Sequence, residues 1–159
     1  MRRVADRYAS GAARRDARGK LGSDPIAQQL LELGELGEVV DVGCGRGQMG
    51  ILMLEADVAA KVTGVDWDEG KLEDARAASK DLPMTFEKAD VREVTPPACD
   101  TLLLIDVLHY LTDKQQLDVL ARCMHAARKR VILRELDPDG GWRSATTGVQ
   151  EAVTTCFGY

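Results

Sequence analysis

With 159 residues, 45% of them hydrophobic and 30% charged, the chain has the bulk of one soluble domain with its own core. No apolar run approaches the roughly 20 residues needed to span a bilayer, and no apolar stretch near the start reads as a secretory signal, so a cytoplasmic protein is expected. The net charge of −5 is uneven: residues 1–20 carry +5 and the rest −10, and an acidic body repels phosphate, so no nucleic-acid partner is expected.

Residues 1–23, rich in Arg, Ala and Gly with Tyr8 as their one aromatic, read as a loosely structured basic arm ahead of a single domain over 24–159. Ser23-Asp24-Pro25 is a helix start, with an acid at the N-cap and proline in the first turn. Ile26, Leu30 and Leu33 share one face of that helix, and Gly34 and Gly37 end it. Glu38 to Val42 predicts a short strand. After the glycines that follow, Met49, Leu52, Met53 and Ala56 form a one-sided helical stripe. Lys61 to Val65 predicts a second strand, and Asp68 caps a helix with Leu72, Ala75 and Ala78 inward. Pro83 to Phe86 is a third strand. Thr101 to Ile105, apolar throughout, reads as a strand buried on both faces. Thr112-Asp113-Lys114-Gln115 is a capping box, and Arg128-Lys129-Arg130 closes its helix at the negative end of the dipole. Val131 to Leu133 is a fifth strand, Asp137 to Gly141 a break, and a last helix is expected from Trp142. Strands alternating with helices predict a doubly wound, mostly parallel sheet covered on both faces.

The chemistry gathers at strand ends. Gly45-Arg46-Gly47-Gln48-Met49-Gly50 is literally G-x-G-x-x-G, a fingerprint that alone suggests a nicotinamide dinucleotide. Asp41, two positions before Gly43 and inside the strand, argues otherwise, because its carboxylate would repel a pyrophosphate and attract an ammonium group. Asp66 and Asp90 close the second and third strands. Three acids at three strand tips suit a cofactor with no phosphate, an amino-acid tail and an adenosine. Asp66 would accept from the ribose hydroxyls and Asp90 from the adenine amino group, with the Val91 amide facing the ring and Trp67 packed on it. Cys44, Cys99, Cys123 and Cys156 include no C-x-x-C pair, so no metal site is expected and they read as small buried hydrophobes.

Over residues 39–136 the chain resembles the class I S-adenosylmethionine-dependent methyltransferases, which have a Rossmann-like fold. VVDVGCGRG is similar to the family's glycine motif and VTGVDWD to its acidic second-strand end. FEKADVREV is similar to its adenine-contacting segment, and CDTLLLIDVLHYL to its fourth-strand motif. The resemblance implies S-adenosylmethionine as cofactor, with Asp41, Gly43, Cys44, Gly45 and Gly47 at its methionine end. It also implies Lys20 near the cofactor carboxylate and methyl transfer to a small-molecule acceptor. Asp106 and His109 follow the fourth strand, where the methyl group would face. His109 is read as cofactor wall or as a general base, and Tyr110 as a wall of the acceptor pocket. The family's sheet has two further strands, and after Leu136 only 23 residues remain. A C-terminal truncation is therefore expected, leaving the fifth strand as an edge through which a second copy could pair. Two other readings stay open: a module that binds S-adenosylmethionine or S-adenosylhomocysteine without turnover, and an NAD-dependent oxidoreductase.

Overall fold

A computed structural model describes residues 1–135. In chain order it runs α1 (Arg2–Asp6), α2 (Gly11–Ser23), α3 (Pro25–Glu32), β1 (Gly37–Val42), α4 (Gln48–Glu55) and β2 (Ala59–Asp66). Then come α5 (Glu69–Ala78), β3 (Met84–Lys88), β4 (Cys99–Ile105), a single 3-10 turn (Leu108–Tyr110), α6 (Asp113–Ala126) and β5 (Ala127–Arg134). The strands form one parallel sheet in the order β3-β2-β1-β4-β5.

Strand alternation divides the side chains between two cores. Val39, Leu103 and Ile105 join the cluster built with α1 to α4, whereas Val40, Val42, Leu102 and Leu104 join one holding Val119 and Cys123 of α6. Both faces are covered, which is why the central strands read as unbroken apolar runs. The chain leaves β1 toward β2 on one side and returns to β4 on the other, so the carboxyl ends of β1 and β4 open the crevice in which such sheets hold ligands. The predicted caps do their work: Asp24 accepts from the Ile26 amide and Asp68 from the Lys71 amide.

The N-terminal residues overturn the expectation of a loose arm. Val4, Ala5, Tyr8, Ala13, Ala17 and Leu21 of 1–23 are buried in the first core. Ion pairs tie the segment to the body: Arg7 donates to Glu55 at 2.9 Å and to Asp81 at 2.6 Å. Asp16 of α2 pairs with Arg46 of the glycine loop at 3.1 Å. The one-sided stripe expected of α4 is corrected in the same stroke. That helix is buried on every side from Gln48 to Leu54, because α1, α2 and α3 pack on it while β2 flanks it from the sheet. A second correction concerns Arg128-Lys129-Arg130, which belong to β5 and not to the end of α6, since the helix stops at Ala126. Pairing with β4 wins over the helix dipole, and Arg128 meets Glu38 and Asp100 there.

The Tyr8 hydroxyl donates to the Arg46 carbonyl at 2.7 Å and so ties α1 to the glycine loop. Tyr8→Phe is expected to cost about 1 kcal/mol, seen as a lower urea midpoint at unchanged slope. An unchanged midpoint would mean that packing alone holds the loop. The break after Leu136, the helix expected from Trp142 and Cys156 lie outside the described residues, while Cys44, Cys99 and Cys123 are free and buried. Among the described residues, no helix is long and apolar enough to cross a membrane and no cluster suits a metal ion.

Candidate cofactor site

A cavity of about 760 Å³ opens at the carboxyl ends of the strands, within the range of small-molecule sites. Its floor is the loop between β1 and α4. There the Gly43 and Cys44 amides both donate to the Val65 carbonyl, at 2.8 and 3.0 Å, which pins the loop to the end of β2. Gly43 and Gly45 have φ of 79° and 56°, a region that side chains with a Cβ rarely enter. The two glycines differ in what surrounds them. A Cβ at Gly43 would lie 2.3 Å from Val107 Cγ2, whereas one at Gly45 would meet nothing within 4 Å. Gly43 is packed; Gly45 borders open space.

Most of the residues expected at a cofactor site converge here. Lys20, Gly43, Gly45, Asp66 and Trp67 line the cavity. So do Asp90, Val91 and Asp106. Asp66 is 8% exposed, and its two oxygens accept the Gly45 amide at 2.8 Å and the Asp68 amide at 2.9 Å. One carboxylate thus joins the glycine loop to the turn that opens α5. Asp90 is gripped by Arg92, whose Nε donates to both its oxygens at 2.9 and 3.0 Å, and the Arg92 amide adds a bond of 2.8 Å. These bonds hold the Asp90 carboxyl down at about 2. Two aromatic rings stand at the mouth, Trp67 at 69% exposed and Tyr110 at 81%.

Four expected residues do not line the cavity. Asp41 lies beneath it, 4% exposed, on the face of β1 that carries Val39. Burial pushes its carboxyl up to about 6, against the pull of Lys20 and with the push of Asp66. No hydrogen bond from the described residues reaches that carboxylate. Cys44 turns its buried thiol toward Gly64, where a Cβ would stand 2.8 Å from Sγ, and burial pushes the thiol up. Gly47 packs on Met84 and Phe86, the nearest atoms a Cβ would meet there, at 3.1 and 3.2 Å. His109 lies outside the cavity lining. Its Nδ1 is 2.6 Å from Glu135 Oε1 and its amide donates to Glu135 Oε2 at 3.1 Å.

Three cations were missed. Lys71 and Arg92 line the cavity, and Arg134 grips Asp106 from behind. Asp90 and Arg92 are two positions apart, a spacing at which an acid accepts a nearby backbone amide, so that pair was readable. Arg134 had no local signal, since its second partner, Asp24, lies 110 positions away.

The family model for the methyltransferase domain matches residues 39–130. The chain is similar to trans-aconitate 2-methyltransferase of Rhizobium leguminosarum bv. trifolii, with 34% identity over 141 residues, 87% of this chain and 52% of the relative. The same enzyme of Rhizobium etli is 35% identical over 127 residues, 78% of this chain and 46% of the relative. The chain therefore spans about half the length of the curated relatives it matches. Among solved structures, an S-adenosylmethionine-dependent methyltransferase from Mesorhizobium loti shares 30% identity at a TM-score of 0.58, covering 68% of this chain and 50% of that one. Magnesium protoporphyrin IX methyltransferase from Synechocystis PCC 6803, solved with bound SAH, shares 25% at a TM-score of 0.61, covering 82% of this chain and 64% of that one. A five-stranded parallel sheet, a glycine loop beneath a cavity and a family match over more than half the sequence agree: the chain belongs to the class I S-adenosylmethionine-dependent methyltransferase family.

Proposed function

We propose that the cavity binds S-adenosylmethionine and that the protein transfers its methyl group to a small-molecule acceptor. The observation that carries this is the open space above Gly45: a glycine whose missing Cβ touches nothing borders a cavity that Asp66 and Lys20 also line. The donor set fits the cofactor. Lys20 suits its carboxylate, buried Asp41 its positive charges, Asp66 its ribose diol, and Asp90 with the Val91 amide its adenine edge. Trp67 covers the ring. The cofactor supplies a methyl group made electrophilic by a sulfonium centre.

What the chain must add is position and dryness, because the departing thioether is neutral. An acceptor that attacks as an anion, such as a carboxylate, arrives without a proton to remove. His109, held by Glu135 outside the cavity, is given no proton transfer in this reading. Trans-aconitate, named for the curated relatives, is a small carboxylic acid and supports an acceptor of that size. Three buried free cysteines suit a reducing compartment, the cytoplasm.

Gly45→Ala tests the reading with the fold intact. Because its Cβ finds room, the expected stability cost is the left-handed backbone alone, about 1–2 kcal/mol. Calorimetry should show S-adenosylhomocysteine binding to the wild type and a loss of about tenfold or more in the variant, 1.4 kcal/mol or more. Equal affinity in both proteins would refute the site, and a wild type stabilised by NAD and not by S-adenosylhomocysteine would favour the oxidoreductase.

A further inference from the structure

Arg134, the last residue of β5, uses one guanidinium to hold two carboxylates from distant parts of the chain. Nε donates to Asp106 Oδ1 at 2.9 Å and Nη2 to Asp24 Oδ2 at 2.9 Å, with further contacts from Nη1 to Asp24 and Nη2 to Asp106. The side chain is 13% exposed, so these pairs are shielded from water. Each partner leads to the cofactor cavity. Asp106 lines it and sits at φ 57°, a backbone conformation uncommon outside glycine; its amide is fixed by the Arg134 carbonyl at 2.9 Å. Asp24 forms the elbow between α2 and α3. It caps α3 through the Ile26 amide at 3.1 Å, and its own amide donates to the Lys20 carbonyl at 3.3 Å, closing the last turn of α2. Lys20 lines the cavity from that turn.

A shielded network of this kind is weak grounds for stability, because apolar residues of similar size often serve as well. Its geometry is better matched to fixing positions. Without Arg134, Asp24 and Asp106 would repel each other, and the elbow carrying Lys20 would be free to move off the end of β4. Lysine could not replace it fully, since a point charge lacks the planar fork that reaches both acids at once.

We infer that Arg134 is a positioning residue: by joining Asp106 to Asp24 it locks the α2–α3 elbow, and with it Lys20, where the amino-acid tail of the cofactor binds. This rests on the proposed cofactor reading. Two ligands separate the effect from loss of fold: S-adenosylhomocysteine, which has the tail, and 5′-methylthioadenosine, which keeps the nucleoside and sulfur without it. Calorimetry on Arg134→Ala should show about a tenfold loss for the first and less than about twofold for the second. Arg134→Lys, which keeps the charge if the alanine variant folds poorly, should show the same selectivity with a smaller loss. In a Lys20→Ala background the Arg134 effect on S-adenosylhomocysteine should shrink below about twofold, because the two changes act through one contact. Equal losses for both ligands, no loss for either, or additivity with Lys20→Ala would overturn the inference and leave the cofactor reading standing. A wild type that binds neither ligand would remove both.

Discussion

Asp66→Ala is expected to weaken S-adenosylhomocysteine binding by about a hundredfold or more, since a carboxylate that accepts two hydroxyls contributes about 1.5–3 kcal/mol through each. The same oxygens hold the Gly45 and Asp68 amides, so the variant also loosens the glycine loop and the entry to α5. Its stability in urea should fall by about 1–3 kcal/mol, the cost of leaving such donors unmet. Asp66→Asn separates the two contributions. An amide fills the same space but has one accepting oxygen in place of two, so one of the two backbone donors is left facing an NH2 group. Binding should therefore fall in this variant too, though less steeply. If Asp66→Ala kept S-adenosylhomocysteine affinity within about threefold of wild type while the urea midpoint dropped, the carboxylate would be a loop brace and no ribose ligand.

The sheet was legible because its signals are local. Apolar runs bounded by Pro, Gly and capping acids marked β1 to β4, and Asp66, Asp90 and Asp106 stood at strand ends as the spacing implied. Two kinds of feature escaped. The first was the packing of α1 and α2, which their arginines disguised as solvated. Ala13, Ala17 and Leu21 nonetheless recur every four positions, and Ile51 and Leu54 lie off the expected stripe of α4. A helix apolar all round needs a second layer, and α1 and α2 supply it together with α3. The second kind was long-range pairing: the Arg134 fork and the seat of His109 on Glu135 join residues that no short window contains. The same limit hid the packing of Cys44 against Gly64 and of Gly47 against Phe86, which keeps both out of the cavity lining.

Asp41→Asn should move stability and binding in opposite directions. Burial lifts the Asp41 carboxyl to about 6 from an ordinary 3.8. The folded protein therefore holds that proton more tightly than the unfolded chain does. The resulting stabilisation is complete below pH 4 and lost as pH rises to about 6, so ionised Asp41 costs about 3 kcal/mol above pH 6. Asparagine has no such cost. The difference in melting temperature between variant and wild type should be near zero at pH 4 and favour the variant at pH 7.5. The groups that face this carboxyl are Lys20, Asp66 and the Cys44 thiol. A bound ammonium or sulfonium adds positive charge beside them and favours the ionised form. Wild-type affinity for S-adenosylhomocysteine should accordingly decline as pH falls through 6, whereas the variant binds about tenfold more weakly at pH 7.5 and changes little down to pH 5. A destabilising buried acid then has a use, since the charge that burdens the empty protein is the one that draws in a cationic ligand. A variant less stable than wild type at pH 7.5, or one whose binding keeps the wild-type pH profile, would assign that charge to some other task.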